Sequence, residues 1–328
     1  MKRVTAMNNV ICPNLGLDLA FERELLAQWG IDDINLIEIN DPRPLDAHVN
    51  EYQASGALLT YEPATADVLA RCPSLRIISL ESIGYDTVDI PAATAHGVQV
   101  TNVPGYCLED VALHTLAMAL DLTRQITFQD RQVREGHWDA LSGYPMRRIG
   151  GLVFGLVFFG GIAMRLADML RPLGFDVLVY APHASDELLA EHGCRRADAL
   201  DDLLAESDYV SLHCPLITGV TDNLIGSREL DIMKDSAFLI NTARGGVINQ
   251  QALVEALRRH AIRAAALDVV EGEGAGVGEL AEIDNCILTP HSAFLSEDSF
   301  NELRERALKH LVQALSKHSD GHVDDLVN

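Results

Sequence analysis

Val153-Phe154-Gly155-Leu156-Val157-Phe158-Phe159-Gly160-Gly161-Ile162-Ala163 is an apolar run that enters a glycine turn and leaves it as a helix. Its first half is short, rich in Val and Phe and bounded by glycine, which predicts a buried strand. A strand, a tight turn and a helix start are the parts that hold a dinucleotide. In Gly-x-Gly-x-x-Gly the glycines let backbone N–H groups and the helix N-terminus meet the pyrophosphate. Set on that pattern, the three glycine positions are Phe158, Gly160 and Ala163. Alanine serves at the third, where close helix–strand packing is the requirement. Phenylalanine at the first is different, because a large side chain stands where the turn and the phosphate approach need none. The stretch predicts a nucleotide-type α/β domain and puts its cofactor in question.

Outward from this strand the chain alternates. Toward the C-terminus, residues 176–180, 209–213, 237–241, 264–269 and 286–288 read as short buried strands, with helical patterns such as 164–172 and 250–259 between them. Toward the N-terminus the strands are 9–12, 35–39, 56–60, 76–80 and 98–103, with helices over 19–28, 64–71 and 90–96. Alternating β and α predicts two parallel sheets, each covered by helices on both faces. Between the two series, after Pro104 and Gly105, a helix is expected over 108–129. Its apolar positions Val111, Leu116, Met118, Leu120 and Leu122 nearly encircle it, which predicts burial between domains or subunits. A last helix over 297–316 precedes a polar tail that is expected to be loosely ordered.

The 328 residues, 48% of them hydrophobic, suffice for two domains with separate cores and exclude a largely disordered chain. The net charge of −23 is spread over both halves, so nucleic acid and anionic membrane surfaces are not expected partners. The longest apolar run, 150–163, is too short and glycine-rich to span a bilayer, and no secretory leader is read. Six scattered cysteines without a C-x-x-C pair read as reduced thiols, so a cytoplasmic location is expected. The twelve histidines show no metal-ligand spacing, and no metal is expected.

Three polar residues follow predicted strands of the second series. Arg244 precedes Gly245-Gly246, Glu273 lies in the loop after 267–270, and His291 follows Leu288-Thr289-Pro290. An arginine can hold a carboxylate through two parallel N–H bonds, and a histidine paired with a carboxylate can exchange a proton near neutral pH. Singly, Arg244 reads as an ion pair at a helix entry and His291 as a satisfied loop histidine. Together they read as one shared site.

Around these residues stand several specific strings: Ile83-Gly84-Tyr85-Asp86, Thr101-Asn102-Val103-Pro104-Gly105, His213-Cys214-Pro215-Leu216, Met233-Lys234, residues 240–246, Leu267-Asp268-Val269 and Thr289-Pro290-His291. With them in this order over nearly its whole length, the chain resembles the D-isomer-specific 2-hydroxyacid dehydrogenases. Residues 291–297, with Tyr106-Cys107, look most like the branch related to C-terminal binding proteins.

The resemblance implies two doubly wound parallel-sheet α/β domains. They are a flavodoxin-like substrate domain over 1–103 plus 297–328 and a Rossmann nucleotide-type domain over 104–296, with the active site in the cleft between them. It also implies a homodimer built on the nucleotide domain, acting on a small carboxylic acid. On this resemblance Arg244 binds the substrate carboxylate and C2 oxygen, His291 is the general acid/base, and Glu273 bonds His291 and raises its pKa. Amides near Ser82, Ile83 and Gly84 take the other side of the carboxylate. Phe158, Gly160, Gly161, Ile162, Ala181, His213, Pro215, Thr242 and Asp268 fall at cofactor positions, Asp268 meeting the nicotinamide amide.

The departures from the family pattern gather at the cofactor. Phe158 replaces a glycine, Gly161 a common basic residue, and Ala181 the acid that binds the adenosine ribose. NADP in place of NAD would suit the lost acid, yet Pro182-His183-Ala184-Ser185 brings no arginine for its phosphate. Elsewhere, Glu81 stands beside the carboxylate loop, Leu113 replaces an acid on the long helix, and residues 271–276 lack the usual Glu-Pro, which leaves Glu271 as another partner for His291.

The leading expectation is an NAD(P)-dependent oxidoreductase interconverting a 2-hydroxy acid and a 2-keto acid through a weakened dinucleotide site. A cofactor-independent enzyme that enolises, hydrates or decarboxylates a keto acid is the alternative, since polarising a carbonyl and moving a proton need no hydride. A non-catalytic binding homologue is the third reading, and with either of these the cofactor is none.

Overall fold

The computed structural model of the chain describes residues 7–13, 18–273 and 276–328. It divides into two units, Met1–Tyr106 with Ser296–Asn328 and, separately, Cys107–Leu295.

In the first unit β1 (Asn8–Pro13), β2 (Ile34–Ile39), β3 (Gly56–Leu59), β4 (Ile77–Leu80) and β5 (Gln99–Thr101) pair in parallel in the order β2-β1-β3-β4-β5. Helices α1 (Ala20–Gln28), α2 (Leu45–Tyr52), α3 (Ala66–Leu69) and α4 (Ile90–Ala95) alternate with them. β3 and β4 are buried from end to end, which explains why they read as short buried strands, Ser79 being the one polar residue in either. The C-terminal helix Glu297–Leu315 lies on this sheet, where the buried Ser79 Oγ donates to Ala307 O at 2.9 Å. Contrary to the loose tail expected from sequence, the last residues are bound. Val327 N donates to Val100 O and Val100 N to Asn328 Oδ1, both at 2.8 Å. The outer edge of β5 has backbone groups that need partners, and the tail supplies them.

The second unit opens with α5 (Leu108–Arg124) and α6 (Ile126–Arg134), where sequence suggested a single helix over 108–129. The break is Gln125, left-handed at φ 54° and almost fully buried. Its side chain donates to Tyr144 O at 2.7 Å and accepts from Tyr144 N at 3.1 Å, a two-bond clasp that closes the intervening arm. The apolar period runs straight through this point, so the pattern alone could not show it.

The sheet follows: β6 (Val153–Val157), α7 (Gly161–Leu170), β7 (Asp176–Tyr180), α8 (Asp186–Glu191), β8 (Arg195–Arg196), α9 (Leu200–Glu206), β9 (Tyr209–Leu212), α10 (Ser227–Ile232), β10 (Phe238–Asn241), α11 (Gln250–Arg258), β11 (Ala264–Leu267) and β12 (Cys286–Leu288). All pair in parallel in the order β12-β11-β10-β9-β6-β7-β8. The strand order reverses between β6 and β9, the place where such sheets collect ligands at the carboxyl ends of their strands. Among the described residues no helix is long and apolar enough to cross a membrane. Cys12, Cys72, Cys107, Cys214 and Cys286 are buried free thiols, and Cys194 is half-buried.

Candidate active site

The register of the second sheet sets Asn241 beside Leu267 and Leu267 beside Leu288. The residues that follow β10, β11 and β12 therefore leave from one edge: Thr242 to Arg244, Asp268, and Thr289 to His291. Two strand spacings, roughly 10 Å, separate the outer pair. The buried Asn241 folds the first turn, donating through Nδ2 to Arg244 O at 2.9 Å and accepting from Ala243 N at 3.0 Å. Arg244 Nη1 donates to Ala243 O at 2.8 Å. A Cβ on Gly245 would sit 2.0 Å from Val270 O, so only glycine lets this turn touch the backbone that leads to Glu273. Thr242 is braced from α5, its Oγ1 lying 2.9 Å from Thr115 Oγ1.

His291 occupies a left-handed backbone conformation, φ 51°, which a side-chain residue adopts only when its surroundings hold it. What holds it is Asp268, which is 2% exposed. Its Oδ1 accepts from Thr289 Oγ1 at 2.5 Å and Ser292 N at 2.9 Å, its Oδ2 from Ala293 N at 2.9 Å, and its backbone O from His291 N at 2.7 Å. His291 Nδ1 lies 2.7 Å from Glu273 Oε2. Between the two acids open from sequence, the structure thus pairs Glu273, while the Glu271 amide is tied to Gln250 Oε1 at 3.0 Å.

Toward the other side of the sheet, the edge carries His213, Phe158 to Ile162 and Ala181. Phe158 keeps φ at 72°, the left-handed turn that a glycine would adopt without strain. Its half-buried ring leans on the cluster to which Val157, Leu178 and Leu212 belong. Gly160 caps α7 with no side chain bonded to the first turn, and a Cβ there would meet open space. The Gly161 position has a packing reason: a Cβ would come 3.1 Å from the Leu108 side chain of α5. The backbone cradle for a pyrophosphate therefore fits, with a phenyl group beside it. Burial pushes the His213 imidazole down to about 4, so it is neutral at neutral pH, with Nε2 3.0 Å from Ser211 Oγ. Pro215 O accepts from Thr221 Oγ1 at 2.5 Å.

Ala181 is buried, and the loop after it holds an arginine that its own sequence does not contain. Arg196 of β8 donates to Ala181 O at 3.2 Å and Ala184 O at 2.6 Å and pairs with Asp186.

Ser82, Ile83 and Gly84 belong to the first unit. Their carbonyls are tied back: Val103 N to Ser82 O at 2.9 Å, Asn102 Nδ2 to Ile83 O at 2.6 Å, Ser82 Oγ to Gly84 O at 2.5 Å. Among the described residues their amides meet no acceptor, as an anion-binding turn requires. Glu81 turns aside to accept from Thr60 Oγ1 at 3.2 Å. Burial, reinforced by the charge of Glu22, raises its carboxyl to about 7.

Sequence reading missed Asn241, Thr289, His114 and Arg196. The first two sit inside strings that were singled out for their neighbours. His114 was hidden on a helix read for its apolar positions and for the neighbouring Leu113.

Residues 116–293 match the family model described as D-isomer specific 2-hydroxyacid dehydrogenase, NAD binding domain. The chain is 36% identical over 269 residues to a glyoxylate reductase of Korarchaeum cryptofilum, covering 80% of each. To one from Aeropyrum pernix it is 34% identical over 298 residues, 88% of each. Its fold is similar to D-lactate dehydrogenase from Aquifex aeolicus, solved with NAD and lactic acid. The TM-score is 0.83 at 29% identity, covering 93% of this chain and 95% of that one.

Proposed function

The chain belongs to the D-isomer specific 2-hydroxyacid dehydrogenase family, and we propose that it interconverts a small 2-hydroxy acid and its 2-keto acid with NAD as redox partner. The observation that carries this reading is the 2.7 Å contact between His291 Nδ1 and Glu273 Oε2. An ionised carboxylate only accepts, so Nδ1 bears a proton and Nε2 is the atom that exchanges one with the substrate oxygen. Reduction takes a proton from Nε2, oxidation returns it, and Glu273 keeps the ring in one tautomer throughout. Arg244 holds the substrate carboxylate. When bound, the dinucleotide supplies or accepts the hydride at C2.

The amides of Gly160, Gly161 and Ile162 would hold its phosphates at the start of α7. His213, Pro215, Thr242 and Asp268 would line the way to the nicotinamide, and Ala181 the ribose end. NAD is favoured over NADP because Arg196, the guanidinium at that loop, is committed to two carbonyls and Asp186. Phe158 leaves the site with lower affinity than an all-glycine turn. The exposure of Trp138, 89%, and Leu141, 92%, supports reading the arm after α6 as a contact between two copies.

The test is NADH oxidation by the purified protein with glyoxylate, pyruvate and larger 2-keto acids. Turnover should depend on NADH and fall at least about 10²-fold in His291→Ala. Conversion of a keto acid without any dinucleotide would instead favour the cofactor-independent reading.

A further inference from the structure

His114 of α5 has no part in the chemistry above, yet it stands at the foot of the turn that carries His291. Its Nε2 lies 3.1 Å from Thr289 Oγ1 and 3.8 Å from Asp268 Oδ1. A threonine hydroxyl has one proton to give and can accept in two directions. Here that proton goes to Asp268 Oδ1, at 2.5 Å. Thr289 Oγ1 can therefore only accept from His114, and Nε2 is the donor.

The order of donation runs one way, from His114 Nε2–H to Thr289 O–H to the Asp268 carboxylate. The Thr289 hydroxyl is already held by Asp268, and the donation from His114 Nε2 braces its oxygen from the other side, so that the threonine is fixed at both ends of the chain. Asp268 in turn draws Thr289 together with Ser292 and Ala293, the residues on either side of the left-handed His291. The direction of the His291 ring follows from that closure. Leu113, the preceding residue, is 55% exposed, while His114 is turned inward to reach Thr289.

We propose that His114 is a positioning residue for His291, acting through Thr289 and Asp268. The inference rests on His291 being the proton-exchanging group. It assigns His114 no contact with the substrate.

The test uses the full chain with its dinucleotide and compares His114→Leu, of similar bulk without a donor, with His114→Gln, whose amide can donate to Thr289. His114→Leu should lower kcat about 10- to 100-fold, as sub-ångström misplacement of a reacting group does, while KM changes little. The pH profile of kcat/KM should move with it, and His114→Gln should recover most of both.

A second readout needs no turnover. Diethylpyrocarbonate labelling of His291, read by peptide mass spectrometry against the exposed His318, should change rate in the Leu variant and return in the Gln variant. Normal kcat and unchanged labelling in His114→Leu would overturn the inference, as would losses that Gln fails to rescue at an unaltered pH profile. If the wild type turns over no keto acid, the functional reading fails, and the labelling alone still decides whether His114 orients His291.

Discussion

Phe158 and Glu81 are single residues that work against their surroundings. Phe158 holds the left-handed turn at a cost of about 1–2 kcal/mol, offset by a half-buried ring worth roughly 2 kcal/mol. Phe158→Gly should leave the urea midpoint nearly unchanged while tightening NADH about tenfold in a fluorescence titration, as expected for one regained backbone contact. An unaltered Kd would show that the ring already stands clear of the phosphates. Glu81 retains its proton up to about pH 7, whereas in the unfolded chain it ionises at the ordinary value of 4.5. Between these values the unfolded state has released a proton that the folded state keeps, so stability declines as pH rises. The full cost, up to about 3 kcal/mol, is present above pH 7. Glu81→Gln should therefore raise stability over wild type at pH 8 and much less at pH 4.5, read by urea unfolding at both. The sequence located both residues because each breaks a local rule. It could not tell that Phe158 keeps glycine's backbone angle, or that Glu81 faces Thr60, because both outcomes depend on distant packing.

Elements bounded by local chemistry were legible, and elements bounded by distant contacts were not. β3, β4, β9 and β10 announced themselves as short, mostly apolar runs, and Arg244 and His291 were found because each follows a strand legible in the sequence. The α5–α6 break, the two-residue β8 and the bound tail were missed. The first depends on Tyr144, 19 positions away, the second is too short to carry a period, and the third needs the edge of β5. Gln125→Ala should remove the clasp and leave Tyr144 N and O without their partner, at about 1–3 kcal/mol. The release should be local. Amide exchange over residues 126–149 should quicken while the strands around β6 stay protected, and uniform quickening would mean the clasp supports the whole unit.

On the scale of the molecule, the length and the alternation of strands with helices placed the chain correctly among two-unit α/β proteins, but its strong negative charge said nothing about assembly. If the arm bearing the exposed Trp138 and Leu141 joins two copies, Trp138→Glu with Leu141→Glu should yield a monomer in light scattering. An unchanged mass for that variant would place the contact elsewhere. The division of the chain also has a consequence in time. The second unit is one continuous stretch, Cys107–Leu295, whereas the first is assembled from residues on both sides of it. During synthesis the nucleotide-type unit is complete while the first sheet still lacks the helix Glu297–Leu315 and the strip that closes β5. The Ser82–Gly84 loop is made early, on a sheet finished last. Until residues 296–328 leave the ribosome, the nascent chain holds the whole of the continuous unit, while β3 and β4 of the first sheet still lack the helix that packs Leu311 and Leu315 over Gly56.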